Sequence, residues 1–163
     1  MRPRETRRSG TGPDPEAPRP TAGAFRTMHM GAADEHTVFE AEVTGAILAL
    51  DIIQATPRLT SADIFMDCQP AIAAIASPRA QPGQYLLTIL HTQLRRLRRL
   101  RTTLRIRIHW VPAHVGIEGN EVVDAHAKEA AQGATTPLAF RIRRLDGPLP
   151  LSRAAAIAAG AHA

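Results

Sequence analysis

One short stretch constrains the fold of this chain more than any other: Leu104, Ile106, Ile108 and Trp110 alternate with Arg105, Arg107 and His109. A period of two is that of a β-strand with one face buried and one open. Just before it the period changes. Leu87, Leu90, Leu94 and Leu97 recur at spacings of three and four, which predicts a helix from about Gln84, reading Tyr85 to Arg101. Its leucines face inward, while Arg95, Arg96, Arg98, Arg99 and Arg101 crowd its second half and mostly face out. Further upstream, Ile64-Phe65-Met66 is a short continuous apolar run of the kind found in strands covered on both faces.

The remaining segments fill in an order. Phe25 to Met30 reads as a short strand, and Thr37-Val38-Phe39-Glu40 has the S/T-x-x-E form of a capping box, opening a helix that runs to about Gln54, before Pro57. Pro70 suits the first turn of a helix over Ala71 to Ser77, and Pro78 with Pro82-Gly83 breaks the chain again. A loop from Pro112 to Gly119 leads to a last helix, about Glu121 to Ala131. Strand, helix, strand, two helices, strand, helix is an α/β order, with parallel pairing across right-handed crossovers. The expected division is a disordered Pro- and Arg-rich tail at 1–24, a domain at 25–132, and a C-terminal extension at 133–163 that is alanine-rich towards its end and receives no role.

Composition bounds the function. With 44% hydrophobic residues in 163, the chain holds enough apolar material for one packed domain. The net charge of +5, carried almost entirely by arginine, makes polyanions plausible partners. Cys68 is the single cysteine, so neither an intramolecular disulfide nor a zinc site built on several thiols is expected, and a reducing compartment fits. No apolar run approaches the roughly 18 residues that span a bilayer, and no apolar segment follows the N-terminal arginines. Neither membrane insertion nor secretion is expected, and Glu5, Asp14 and Glu16 with the prolines argue against an organelle transit helix. An intracellular setting is the expectation.

Three acids stand out, each with a plainer alternative. Glu40 and Glu42 lie about 200° apart on the first helix, so only one faces inward. Val38, Gly45, Ala46, Ala49 and Ile53 fall near Glu42, which makes Glu42 the carboxylate on the apolar face; the alternative is a chance acid at a helix margin. Asp67 ends the second strand, where open α/β sheets place ligand-binding groups, or it is a turn or capping aspartate before Gln69-Pro70. Asp124, four residues before Lys128, is otherwise one half of a surface ion pair. Carboxylates from three elements meeting at one point suit Mg²⁺, and two such ions activate water and stabilise the leaving oxygen in phosphodiester cleavage. His114, in the loop after the last strand, is placed to shuttle protons or is an ordinary loop histidine. Arg95, Arg96, Arg98, Arg99, Arg105 and Arg107, with no carboxylates of matching position in sequence, read as contacts to a nucleic acid backbone or as a solvated basic face.

The run Trp110-Val111-Pro112-Ala113-His114-Val115-Gly116-Ile117-Glu118-Gly119-Asn120-Glu121, with Asp124 and Ala127-Lys128 after it, closely resembles a long signature of type 1 ribonuclease H domains of non-LTR retrotransposons. Thr37 to Glu42 resembles the family's catalytic-glutamate helix, and Ile64-Phe65-Met66-Asp67-Cys68-Gln69-Pro70-Ala71 its second-aspartate motif. The resemblance covers about 25–132. It implies a Mg²⁺-dependent nuclease, Mn²⁺ serving as well, that cuts the RNA strand of RNA-DNA hybrids. By the same resemblance Glu42, Asp67 and Asp124 are catalytic metal ligands, and His114 is the histidine that assists turnover.

The sequence also departs from the family. No Asp-Gly-Ser precedes Phe25, and Asp14 sits among prolines unsuited to a central strand. The resemblance therefore implies a ribonuclease H-like fold that is incomplete, its first two strands and first catalytic aspartate missing, with impaired cleavage and reduced stability. Phe25 to Met30 moving beside Ile64 to Met66 would repair the sheet, as would strands supplied by another chain. Ala113 in place of the signature's glycine stiffens the His114 loop without inactivating it. Two other readings remain open: a nucleic-acid-binding module without catalysis, and a degenerate retroelement fragment.

Overall fold

The structure, a computed structural model, describes residues 24–32, 34–77, 79, 83–112, 118–139, 142 and 145–160, without the side chains at 118–121, 124, 158 and 159. The expected disordered tail therefore lies outside the described residues except for Ala24. Seven elements follow one another: α1 (Val38–Ala55), β1 (Ser61–Met66), α2 (Gln69–Ala76), α3 (Gln84–Leu100), β2 (Arg105–Trp110), α4 (Glu118–Ala131) and α5 (Arg153–Gly160). The α/β class and the parallel crossover match the sequence reading.

Helix α1 starts where the capping box places it. The Glu40 amide donates to Thr37 Oγ1 at 3.2 Å, and Glu40 Oε2 accepts from the Thr37 amide at 2.9 Å and from its hydroxyl at 3.0 Å. Two helix-entry donors are thereby satisfied. Helix α3 lies alongside α1 and in the same sense. Gly83, the left-handed N-cap of α3 with φ +73°, approaches so closely that an added Cβ would stand 3.0 Å from Phe39 and 3.2 Å from Glu40. At the other end Arg101 donates to the carbonyls of Ile53, Gln54 and Thr56 at 3.0, 2.9 and 2.7 Å, closing the orphan carbonyls where α1 stops. Leu87, Leu90 and Leu97 are buried between these helices, as the leucine spacing predicts.

Strands β1 and β2 run parallel in register, Ser61 opposite Arg105 and Met66 opposite Trp110. Backbone bonds of 2.9 Å from Arg105 N to Thr60 O and from Val111 N to Met66 O carry the ladder past both ends. Among the described residues the sheet has these two strands. Strand β1 is not covered on both faces as expected: Ile64 and Met66 are buried against the helices, whereas Phe65 is 64% exposed. No described helix packs over that second face.

The expected strand at Phe25 to Met30 is not formed, and it does not move beside β1. Its backbone is engaged elsewhere: the Thr27 amide donates to Thr136 Oγ1 at 2.8 Å, the Thr136 amide to Thr27 O at 2.9 Å, and the His29 amide to Thr135 Oγ1 at 2.9 Å. The segment that follows α4 thus competes with the sheet for this backbone and holds it.

Residues beyond 133 belong to the packed body. Leu145 and Leu149 are buried in the main core, with Leu138 and Ile142 packed on it. The Ala139 amide donates to Asp51 Oδ2 at 3.0 Å, as does Arg26 Nε at the same distance. Asp51, wholly buried on α1, therefore joins the segment before α1 to the segment after α4.

Candidate active site

Asp67 leaves β1 at the carboxyl end of the sheet and is half-buried. Its position is fixed from two sides. The Trp110 indole Nε1 donates to the Asp67 carbonyl at 3.1 Å, and Cys68 begins α2, with Pro70 in the first turn, where a missing amide costs nothing. Because the strands are parallel and in register, the end of β1 and the start of the Trp110-Val111-Pro112 stretch are neighbours in space although more than forty residues apart. The outcome is the one that the strand-end rule for α/β sheets leads one to expect.

The first helix corrects the sequence reading. Glu40, not Glu42, is the fully buried carboxylate: Glu40 is 1% exposed, while Glu42 is half-buried. Residues placed with Glu42 on the apolar face divide, Ala46 and Ile53 being buried but Val38 77% exposed and Gly45 exposed. The packed face instead carries Glu40, Val43, Thr44, Ile47, Leu50 and Asp51, because that side meets α3 and the start of α3 closes over Glu40. Beside it, burial and the neighbouring Glu40 charge push the Tyr85 phenol up to about 12. Glu42 stays on the flank of α1, a helix that also packs against β1.

The other two members stand differently. Asp124 lies in α4, its side chain outside the described residues, and His114 lies outside them altogether. The start of α4 at Glu118 makes that helix longer than the expected Glu121 to Ala131. Helix α4 is tied to the segment before α1: Phe25 stacks on His126 with centroids 4.3 Å apart, and His29 Nδ1 lies 2.9 Å from the Ala130 carbonyl. Val122 and Val123 remain exposed.

The donor chemistry is that of hard carboxylate oxygens, the type that Mg²⁺ and Mn²⁺ take. Among the described residues, however, no group of three or more His, Cys, Asp and Glu side chains is arranged to hold a metal ion. Glu42 and Asp67 alone therefore do not make the site.

The arginines also separate. Arg95, Arg96, Arg98 and Arg99 are exposed on α3, and Arg105 is exposed on β2. Arg107 is not the unneutralised cation expected from the sequence. Its Nε and Nη2 donate to the two Asp63 oxygens at 2.7 and 2.9 Å, and His109 Nε2 lies 2.6 Å from Oδ1 of the same carboxylate. These partners hold the Asp63 carboxyl far below the ordinary carboxylate range, and Asp63 in turn raises the Arg107 guanidinium. The sequence reading missed this cluster. Alternation puts Asp63 and Arg107 on open faces, but only the strand register puts them opposite each other.

A half-buried aspartate at the carboxyl end of a parallel strand and a glutamate-bearing helix packed on that strand belong to an α/β protein. The family model of RNase H matches residues 17–132, more than half of the chain, and the chain belongs to the ribonuclease H family. No curated protein matches the chain significantly.

Proposed function

We propose that this chain is a ribonuclease H domain of retrotransposon type that hydrolyses the RNA strand of RNA-DNA hybrids, with Glu42, Asp67 and Asp124 as its catalytic carboxylates. One observation carries the reading: Asp67, from one family-like motif, is hydrogen-bonded through its carbonyl to Trp110, which opens the other. Two motifs recognised separately in sequence share one end of the sheet, within the span of the family match.

Each residue has a stated part. Asp67 and Glu42, with Asp124 from α4, would hold the divalent cation, Mg²⁺ or Mn²⁺. Such an ion activates water and stabilises the leaving oxygen. Trp110 and the α2 start fix the Asp67 backbone, so its carboxylate is offered at one place. His114 would take up and return protons as product leaves. No Asp-Gly-Ser stands in residues 1–37, and cleavage that rests on Glu42, Asp67 and Asp124 alone is slow.

An end-labelled RNA-DNA hybrid tests this with Mg²⁺ or Mn²⁺, single-stranded RNA serving as control. The expected result is internal cuts in the hybrid's RNA strand, absent without metal and lost in Asp67→Asn. Absence of cuts with a cooperatively folding protein would overturn the catalytic reading. It would favour the second one, a binding module without catalysis, which rests on the exposed arginines of α3.

A further inference from the structure

Strand β1 has a free edge. The Thr60 and Met66 carbonyls accept from the Arg105 and Val111 amides at 2.9 Å, and in a parallel ladder alternate residues address the same neighbour. Ala62, Ile64 and Met66 therefore turn their amides and carbonyls to β2, while those of Ser61, Asp63 and Phe65 point to the opposite side. Among the described residues the sheet ends there, and no hydrogen bond reaches that row. Such a row is a template for another strand, and chains ordinarily blunt it with proline, a bulge or exposed charges. Strand β2 guards its own outer edge with Arg105, Arg107 and His109 on the open face. Strand β1 carries no such guard. Ser61-Ala62-Asp63-Ile64-Phe65-Met66 lacks proline, and its single charge, Asp63, is engaged by Arg107 and His109 on the side of β2.

The strand's own pattern says what fits there. A second copy brought in antiparallel, open face beside open face, has two registers that pair most of β1 with itself. One sets Asp63 opposite Asp63 of the second copy, and like charges directly opposite one another destabilise a sheet. The other sets Asp63 opposite Phe65 of the second copy, Ile64 opposite Ile64, and Ala62 opposite Met66. On the open face, rows of His109, Phe65, Asp63 and Arg107 then cross four strands, the last two residues coming from the other copy, and no acid opposes an acid. On the helix face the apolar row Ala62, Ile64, Met66 continues into that of the copy. The chain's own first residues suit this edge poorly. Pro3, Pro13, Pro15, Pro18 and Pro20 lack the amide that pairing uses, and Arg4 to Gly12 holds no apolar residue for the helix face.

We propose that the chain associates as a two-fold dimer through the free edge of β1, in the register that opposes Asp63 and Phe65, so that two small sheets become one of four strands. Contact of one edge with itself is closed by the two-fold, and the arginine-guarded edges of β2 stay outside. Asp63 and Phe65 exchange amide and carbonyl bonds across the join, and the two-fold repeats the exchange. Phe65, exposed and stacked on His109 at 5.2 Å in the single chain, meets its symmetry mate diagonally across the axis. The two Asp67 ends point in opposite directions, each beside Ser61 of the other copy. Cleavage plays no part in this pairing, which stands or falls apart from the catalytic reading.

Sedimentation equilibrium of the full chain over a range of concentration, under reducing conditions, tests this with three variants at one exposed position. Phe65→Pro removes an amide that β2 does not use, Phe65→Asp sets an acid opposite Asp63 of the second copy, and Phe65→Lys sets a cation there. Circular dichroism melts at a concentration where the parent is monomeric check that each variant folds, and the Asp and Lys pair carries the result if the proline variant does not. The expected result is a reversible monomer-dimer equilibrium for the parent. Because the two-fold makes each change act twice, the dimer should be roughly tenfold weaker or more in Phe65→Pro and Phe65→Asp, and within about threefold of the parent in Phe65→Lys. A parent that stays monomeric at every concentration would overturn the second copy as the occupant. A dimer untouched by Phe65→Pro and Phe65→Asp would overturn the β1 edge as its contact. Equal losses in Phe65→Asp and Phe65→Lys would overturn the register, and species growing beyond the dimer would overturn the closed two-fold.

Discussion

Asp63 receives Arg107 through two nitrogens and His109 through a third, all at the open face of the two-stranded sheet. A carboxylate so placed gives up its charge only at a pH well below the ordinary value near 3.8. Its folded pKa is depressed, so whatever it contributes to stability is present above the unfolded value and is lost as pH falls through the folded one. In an NMR titration the Asp63 carboxyl carbon should show no midpoint near 3.8, and Arg107→Ala should move the midpoint up towards it. A parent midpoint at the ordinary value would contradict the ion pair. At this scale the sequence was partly legible. Residue type and alternation identified Arg107 as exposed and cationic, but the cation's partner is forty-four positions away and is set by register alone.

Single elements were readable where the pattern was one-sided and misleading where it was not. The leucine spacing of α3 has one solution, and the structure adopts it. Helix α1 has apolar residues almost all round, Val43, Ile47 and Leu50 on one side and Ala46 and Ile53 towards the other. Counting angles cannot choose between those sides. The choice is made by α3, and it takes Glu40 inward. The same face carries Asp51, bonded to Arg26 and to the Ala139 amide. Removing one partner from a buried charged pair is costly, about 3 to 5 kcal/mol. Asp51→Ala should therefore lower the unfolding free energy by roughly that amount in a urea titration. A loss within a few tenths of a kcal/mol would mean that Asp51 does not tie the two flanking segments to α1.

For the whole molecule the informative surprise is the C-terminal stretch. The family match ends at residue 132, and the alanine-rich composition near the end gave no periodic signal, yet Leu145 and Leu149 lie in the main core. Isolated leucines in a proline- and glycine-interrupted segment carry no period, so only tertiary contact reveals them. Fully burying a leucine is worth about 1.5 to 3 kcal/mol, and domains have only about 5 to 15 in total. A chain ending at residue 133 should thus lose its cooperative thermal transition or melt many degrees lower. An unchanged melting curve would show the stretch to be dispensable. The fold class, the parallel pairing and the strand-end placement of Asp67 were all legible in the sequence, because each follows from short-range pattern and crossover topology.

Convergence of Glu42, Asp67 and Asp124 at the carboxyl end of the sheet is the claim on which the nuclease reading depends. Paramagnetic broadening by Mn²⁺, followed residue by residue in amide NMR spectra of the parent and of Asp67→Asn, tests it most directly. The account requires the amides of Glu42, Asp67 and Asp124 to broaden together at the lowest Mn²⁺, and that joint effect to vanish in Asp67→Asn. Broadening centred on other acids, such as Asp34 and Glu35, or broadening at Asp67 without Glu42 and Asp124, would contradict it.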